Sequence, residues 1–166
     1  MAALVALRPT LERQLYPRKY ADLTARYAAE YAVPEALLFA VIRTESSFRP
    51  NAVSNVGARG LTQIMPETFR WLQSKTGEQL PLDTLFTPEV SIRYGALLLH
   101  LLLEEFVAGG APYAAAAYHA GRGQLNQWLQ NSEGRPLEQI AAPATRHYMR
   151  KVMQAYEKYT KLYGGT

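Results

Sequence analysis

An all-α protein, folded as one compact domain with little or no sheet, is what this sequence predicts, and three observations predict it. Apolar residues recur at helical spacing in almost every segment, and no run alternates with a two-residue period. At 166 residues, 48% of them apolar and 19% charged, the chain is long enough to bury one core without covalent staples. Repeats and low-complexity tracts are absent. The expected organisation is an N-terminal extension or linker remnant over 1–15, a folded domain over 16–163 and a short tail over 164–166.

The elements follow in order. RKYADLTARYAAEYAV places Tyr20, Leu23, Tyr27 and Tyr31 at helical spacing and predicts an amphipathic helix. Pro34 opens a second helix, PEALLFAVIRTES, as proline does in a first helical turn. Residues 49–60, RPNAVSNVGARG, read as a loop because Pro, Asn and Gly are concentrated there. A helix follows over about 66–75. Thr87, Pro88 and Glu89 predict a strong helix start: a capping hydroxyl, a proline at the first position and an acid at the positive end of the dipole. VSIRYGALLLHLLLEEF then runs apolar nearly all round, which suits a central buried helix ended by Gly109 and Gly110. Shorter helices are expected around 112–119 and 122–130. A last one runs from Thr145 to Tyr163, with Tyr148, Val152, Tyr156, Tyr159 and Tyr163 along one side.

Composition removes several function classes. The chain has no cysteine, so disulfides and thiolate metal sites are excluded. His100, His119 and His147 show no metal-ligand spacing, and neither metal nor cofactor is expected. A net charge of +4 favours anionic surroundings, densest over Arg146, Arg150, Lys151, Lys158 and Lys161, although a solvated helix face is the favoured account of it. Nucleic acid is not expected as a partner. ALLLHLLL, the longest apolar run, is too short to cross a bilayer, and MAALVALRPTLERQ lacks the basic and apolar regions of a signal peptide. The expectation is a monomer without membrane insertion and without an address of its own, consistent with a piece of a longer secreted protein.

One residue of the second helix breaks its pattern. At about 100° per residue, Glu45 falls between Leu38 and Val41, with Ile42 close by, while Arg43 points the other way. Apolar surroundings disfavour the charged carboxylate and raise its pKa. Such an acid keeps a proton near neutral pH and can give it to a leaving oxygen, as general acids do in glycoside hydrolysis. A helix-end glutamate that snorkels to solvent or pairs with an arginine would fit the same spacing. The loop beyond sets Gly57 and Gly60 about a turn and adds the Ser54 hydroxyl and the Gln63 amide, groups suited to a sugar's hydroxyls and acetamido group.

Taken in order, these residues resemble the signature of the soluble-lytic-transglycosylase-like family. ESSFRPNAVSNVGARGLTQIMPET stands where the family has an ES dipeptide, a short loop and GLMQIMP. AAYHAGRG at 116–123 stands for AYNAG, and ATRHYMRKV at 144–152 for ETRNYV with following basic residues. The match runs from about Tyr16 to Tyr159. The resemblance implies a lysozyme-like helical fold, with a catalytic domain over 16–163 that works on bacterial peptidoglycan glycan strands in the periplasm or cell envelope. It implies cleavage between N-acetylmuramic acid and N-acetylglucosamine that leaves 1,6-anhydromuramoyl ends. Glu45 would be the single catalytic group, first acid and then base. Ser54, Gln63, Met65, Tyr118 and Tyr148 would bind substrate, although plain packing in a helix stripe competes for Tyr148 more than for Tyr118. His119 is a further substrate-binding candidate, for which packing or support of the loop is the favoured alternative.

The sequence also departs from the pattern. His119 replaces the family's asparagine, Arg122 its proline, Ala144 the glutamate of ETR, and Thr62 the common methionine. Three readings therefore stand side by side: a lytic transglycosylase, a hydrolase resembling goose-type lysozyme, and a peptidoglycan-binding module without activity. A hydrolase of the inverting kind needs a second carboxylate to hold water; the candidates are Glu67, Asp83, Glu89, Glu104 and Glu105. Of the remaining residues, His100, Trp71 and Trp128 read as packing, and Arg59 and Arg122 as contacts to muramate or peptide carboxylates.

Overall fold

A computed structural model describes residues 11–164. A helical stretch over 11–15 precedes α1 (Ala21–Glu30), α2 (Glu35–Ser46) and α3 (Pro66–Thr76). A 3-10 turn over Leu82–Phe86 leads into α4 (Pro88–Glu105), followed by α5 (Gly110–Ala120), α6 (Arg122–Gln130), α7 (Leu137–Ile140) and α8 (Pro143–Tyr163). Among the described residues there is no sheet; extended pairing is confined to isolated bridges between Val53 and Arg59 and between Arg59 and Ile64. The all-α fold matches the expectation.

The core forms around α2. Leu37, Leu38, Phe39, Ala40, Val41 and Ile42 are each at most 1% exposed, so this helix is covered on every side. α8 lies along it, and α1 and α4 complete the enclosure. The buried positions of α8 are Tyr148, Met149, Val152, Ala155 and Tyr159, the stripe visible in the sequence. α4 is buried through Ile92 and Tyr94–Leu99. Ala114, Ala115, Ala116 and Ala117 give α5 a small-residue surface that packs closely on α4 and α8.

Several details differ from the sequence reading. α4 stops at Glu105, with Phe106 already in a turn, and Gly110 opens α5 instead of ending α4. Its φ of +57° is a backbone state that glycine adopts without strain. α8 begins at Pro143, two residues earlier than expected, with the proline in its first turn. Thr87 occupies the N-cap of α4, but its hydroxyl makes no capping bond. Glu89, in that first turn, accepts from Tyr27 Oη at 2.7 Å and from Arg26 at 3.3 Å, tying α1 to α4. Residues 1–10 of the expected extension lie outside the described residues; Glu12 forms an ion pair with Lys158 of α8 at 3.3 Å.

Candidate active site

Glu45 sits in the last turn of α2. The helix ends there because Ser47 and Phe48 take left-handed backbone angles, φ 51° and 63°, turning the chain into the following loop. Glu45 is half-buried, three residues beyond the fully buried run Leu37–Ile42. Tyr148 of α8 donates its Oη to Glu45 Oε1 at 2.6 Å. Burial pushes the Glu45 carboxyl up and this hydrogen bond pulls it down, leaving its pKa raised to about 7. Near neutral pH the group can therefore both give and take a proton.

Two phenols accompany the acid. Burial, and secondarily the Glu45 charge, pushes both Tyr118 and Tyr148 well above the ordinary tyrosine range, so both remain donors. Tyr118 Oη donates to the carbonyl of Thr62 at 2.7 Å, which ties α5 to the loop. Tyr148 therefore holds the direct contact with Glu45, and Tyr118 contacts the loop backbone.

The loop is built around close approaches. Gly60 has φ +78°, and a Cβ there would overlap the Leu85 carbonyl oxygen and lie 2.7 Å from Ser91 Oγ. Arg59 and Ile64 exchange backbone hydrogen bonds at 3.1 Å, closing the turn between them. Thr62 is fully buried inside it. Its hydroxyl donates to the Ser91 carbonyl at 2.7 Å, its N–H donates to Ser91 Oγ at 3.2 Å, and Gly95 of α4 leaves room for its side chain. Gln63, with φ +49°, donates Nε2 to the carbonyls of Ala52 and Gly60 at 3.0 and 2.9 Å. Ser54 Oγ accepts from Ala58 N at 3.0 Å. Met65 is exposed at the N-cap of α3. Gln63 and Ser54 thus use polar groups to shape the loop, while Met65 presents its side chain outward.

His119 is exposed at the end of α5. Its Nδ1 lies 3.1 Å from Thr145 Oγ1, and its ring centroid lies 4.8 Å from that of Tyr148. Sequence reasoning missed Thr145 and treated Thr62 only as a variant position. No local pattern marks either, because their partners are 26 and 29 residues away.

Other candidates fall elsewhere. Arg59 pairs with Asp83 and Arg122 with Glu105, the latter at 3.2 Å, so both cations already have acids. Arg122 also lies over the half-buried Trp71 ring at 5.2 Å. Trp128 packs half-buried against the core. Of the possible second carboxylates, Asp83, Glu89 and Glu105 are engaged as described, and Glu67 and Glu104 are exposed. Burial and the Tyr148 hydrogen bond account for the Glu45 shift, with no contribution from an Asp or Glu among the described residues. Among the described residues no group of three or more His, Asp or Glu is placed to hold a metal ion.

Residues 22–141 match the transglycosylase SLT domain family. Over 158 residues the chain is 35% identical to the soluble lytic murein transglycosylase of Escherichia coli K12, a match covering 90% of this chain and 24% of that protein. The crystal structure of the 70 kDa soluble lytic transglycosylase from Escherichia coli superposes with a TM-score of 0.86 at 31% identity, over 92% of this chain and 26% of that one. An inactive mutant of the lytic transglycosylase Slt from Pseudomonas aeruginosa superposes with a TM-score of 0.79 at 32% identity, over 89% and 25%. The chain thus spans about a quarter of the length of these relatives.

Proposed function

The chain belongs to the transglycosylase SLT domain family, and from that premise we propose that it cleaves peptidoglycan glycan strands as a lytic transglycosylase, with Glu45 as its single acid and base. The carrying observation is a half-buried carboxyl whose pKa is raised to about 7 by burial and which is held by the Tyr148 phenol. Protonated Glu45 gives its proton to the oxygen between N-acetylmuramic acid and N-acetylglucosamine, while the muramic acetamido oxygen stabilises the anomeric carbon. The resulting carboxylate takes the proton of the same sugar's 6-hydroxyl. That oxygen attacks internally and closes the 1,6-anhydro ring. An internal nucleophile has a high effective concentration, so no second carboxylate is needed to hold a water.

In this reading Ser54, Gln63 and Met65 line the groove beside the scissile bond, and Tyr118, His119 and Tyr148 form its opposite side. The substrate places the work in the cell envelope, and the domain acts as a monomer. Among the described residues no helix is long and apolar enough to cross a membrane.

The test is mass spectrometry of what purified sacculi release with the wild-type protein and with Glu45→Gln. Anhydro-ended muropeptides are expected from the wild type, with at least a 1,000-fold loss in the variant, on the order of 4 kcal/mol of barrier. Reducing ends would mean a hydrolase. Binding to sacculi without release would mean a non-catalytic module.

A further inference from the structure

We propose that His119 is a positioning residue: fastened to Thr145, its ring forms the wall that holds the Tyr148 phenol in place to donate to Glu45. This role rests on Glu45 being the acid, as read above, and adds how its one donor is kept in register.

Thr145 and Tyr148 are three residues apart on α8, one turn apart on the same face. Thr145 is 2% exposed, and its Oγ1 meets His119 Nδ1 at 3.1 Å. The imidazole is thereby tied to the same helix that carries the tyrosine it covers. Its ring lies 4.8 Å from the Tyr148 ring at an interplanar angle of 34°, while Tyr148 Oη reaches Glu45 Oε1 at 2.6 Å. Thr145, His119, Tyr148 and Glu45 thus form one chain of contacts, drawn from α8, α5, α8 and α2 in turn.

His119 stands at the solvent end of that chain, and Tyr148, 7% exposed, lies beneath it. Without the imidazole, one face of the phenol would meet water and its hydroxyl would lose a lateral stop. A short hydrogen bond tolerates only about 0.5 Å of drift before a site loses its productive geometry. Partial burial also lowers the pKa of His119, which favours the neutral ring at neutral pH and keeps a cation away from the phenol. The neighbouring Tyr118 points to Thr62 instead. Consecutive residues of α5 therefore steady two sides of the site: one holds the loop and the other holds the acid's partner.

A direct sugar contact by His119 would act independently of Tyr148, whereas a positioning role must act through it. The two separate in a carbon-13 NMR titration of the Glu45 side-chain carboxyl in the wild type, His119→Ala, His119→Phe, Tyr148→Phe and the His119→Ala/Tyr148→Phe double variant. Tyr148→Phe is expected to raise the Glu45 midpoint by removing the bond that lowers it. His119→Ala is expected to raise it too, by less, and His119→Phe to raise it by less again, because its ring still covers the phenol but cannot bond Thr145. In the Tyr148→Phe background, His119→Ala is expected to add nothing.

A midpoint that stays or falls in His119→Ala overturns the role, as does a shift of equal size with and without the Tyr148 hydroxyl. Thr145→Val cuts the tether while leaving the ring, and is expected to move the midpoint upward as well. It decides the matter if the alanine variant fails to fold. The titration needs no turnover. A wild type that releases no anhydro ends would therefore defeat the proposed function and leave this result standing.

Discussion

Glu45 shows how far residue chemistry can be read before a fold is known. Its place in an apolar stripe was legible, and so was the consequence, a carboxyl held above its ordinary 4.5 at about 7. Its partner was not, because Tyr148 lies 103 residues away and its spacing on α8 reads as packing. The shift also makes stability depend on pH. With a native pKa above the unfolded one, Glu45 stabilises the fold fully below about 4.5, and that contribution is lost as pH rises through about 7. The difference corresponds to about 3 kcal/mol. Glu45→Gln never ionises, so it should melt with the wild type at pH 4 and well above it at pH 8, by roughly 5–10 °C. Thermal melts across this range check it, and parallel curves for the two proteins would sink the idea.

At the scale of elements, the long helices were legible because they carry several turns of apolar periodicity. The 3-10 turn Leu82–Phe86 and the four-residue α7 were not, since neither is long enough to show a period. The loop between α2 and α3 was visible as a loop, but its fastening was hidden. Thr62 holds it on two sides, by its hydroxyl to Ser91 of α4 and by its carbonyl to Tyr118 of α5. Thr62→Val keeps the shape and leaves the buried Ser91 carbonyl without that donor. It should cost about 1–3 kcal/mol in urea unfolding and lower the release of anhydro ends by loosening the loop beneath Tyr118. A variant of wild-type stability would show that the hydroxyl contributes nothing to the fastening.

The folded molecule extends beyond the stretch matched by the domain family. The match to the domain family spans residues 22–141, and α8, which lies beyond it, supplies Tyr148 and Thr145 and covers α2. The segment before α1 is joined to both helices. Arg43 donates to the Leu15 carbonyl at 3.1 and 3.2 Å, Tyr159 to that of Pro17 at 2.9 Å and Tyr163 to that of Tyr16 at 2.9 Å. The Tyr16 ring meets Tyr159 edge-on at 5.6 Å. A chain shortened to begin at residue 18 should therefore lose roughly 2–4 kcal/mol, from these hydrogen bonds and the Tyr16 ring. Calorimetry against the full chain measures it; an unchanged melting temperature would mean that the segment adds no stability.

Periodicity, composition and ordered motifs by themselves determined an all-α domain, the family and an acid placed where it would keep its proton. These follow from the sequence because each is local: a helix face repeats every few residues, and a motif is read along the chain. Only the tertiary structure decided which phenol meets that acid, which residues fasten the loop to α4 and α5, and that His119 lies against Tyr148. Those pairings join residues 26 to 103 positions apart. They are set by how α2, α5 and α8 pack, and packing leaves no periodic trace in the chain.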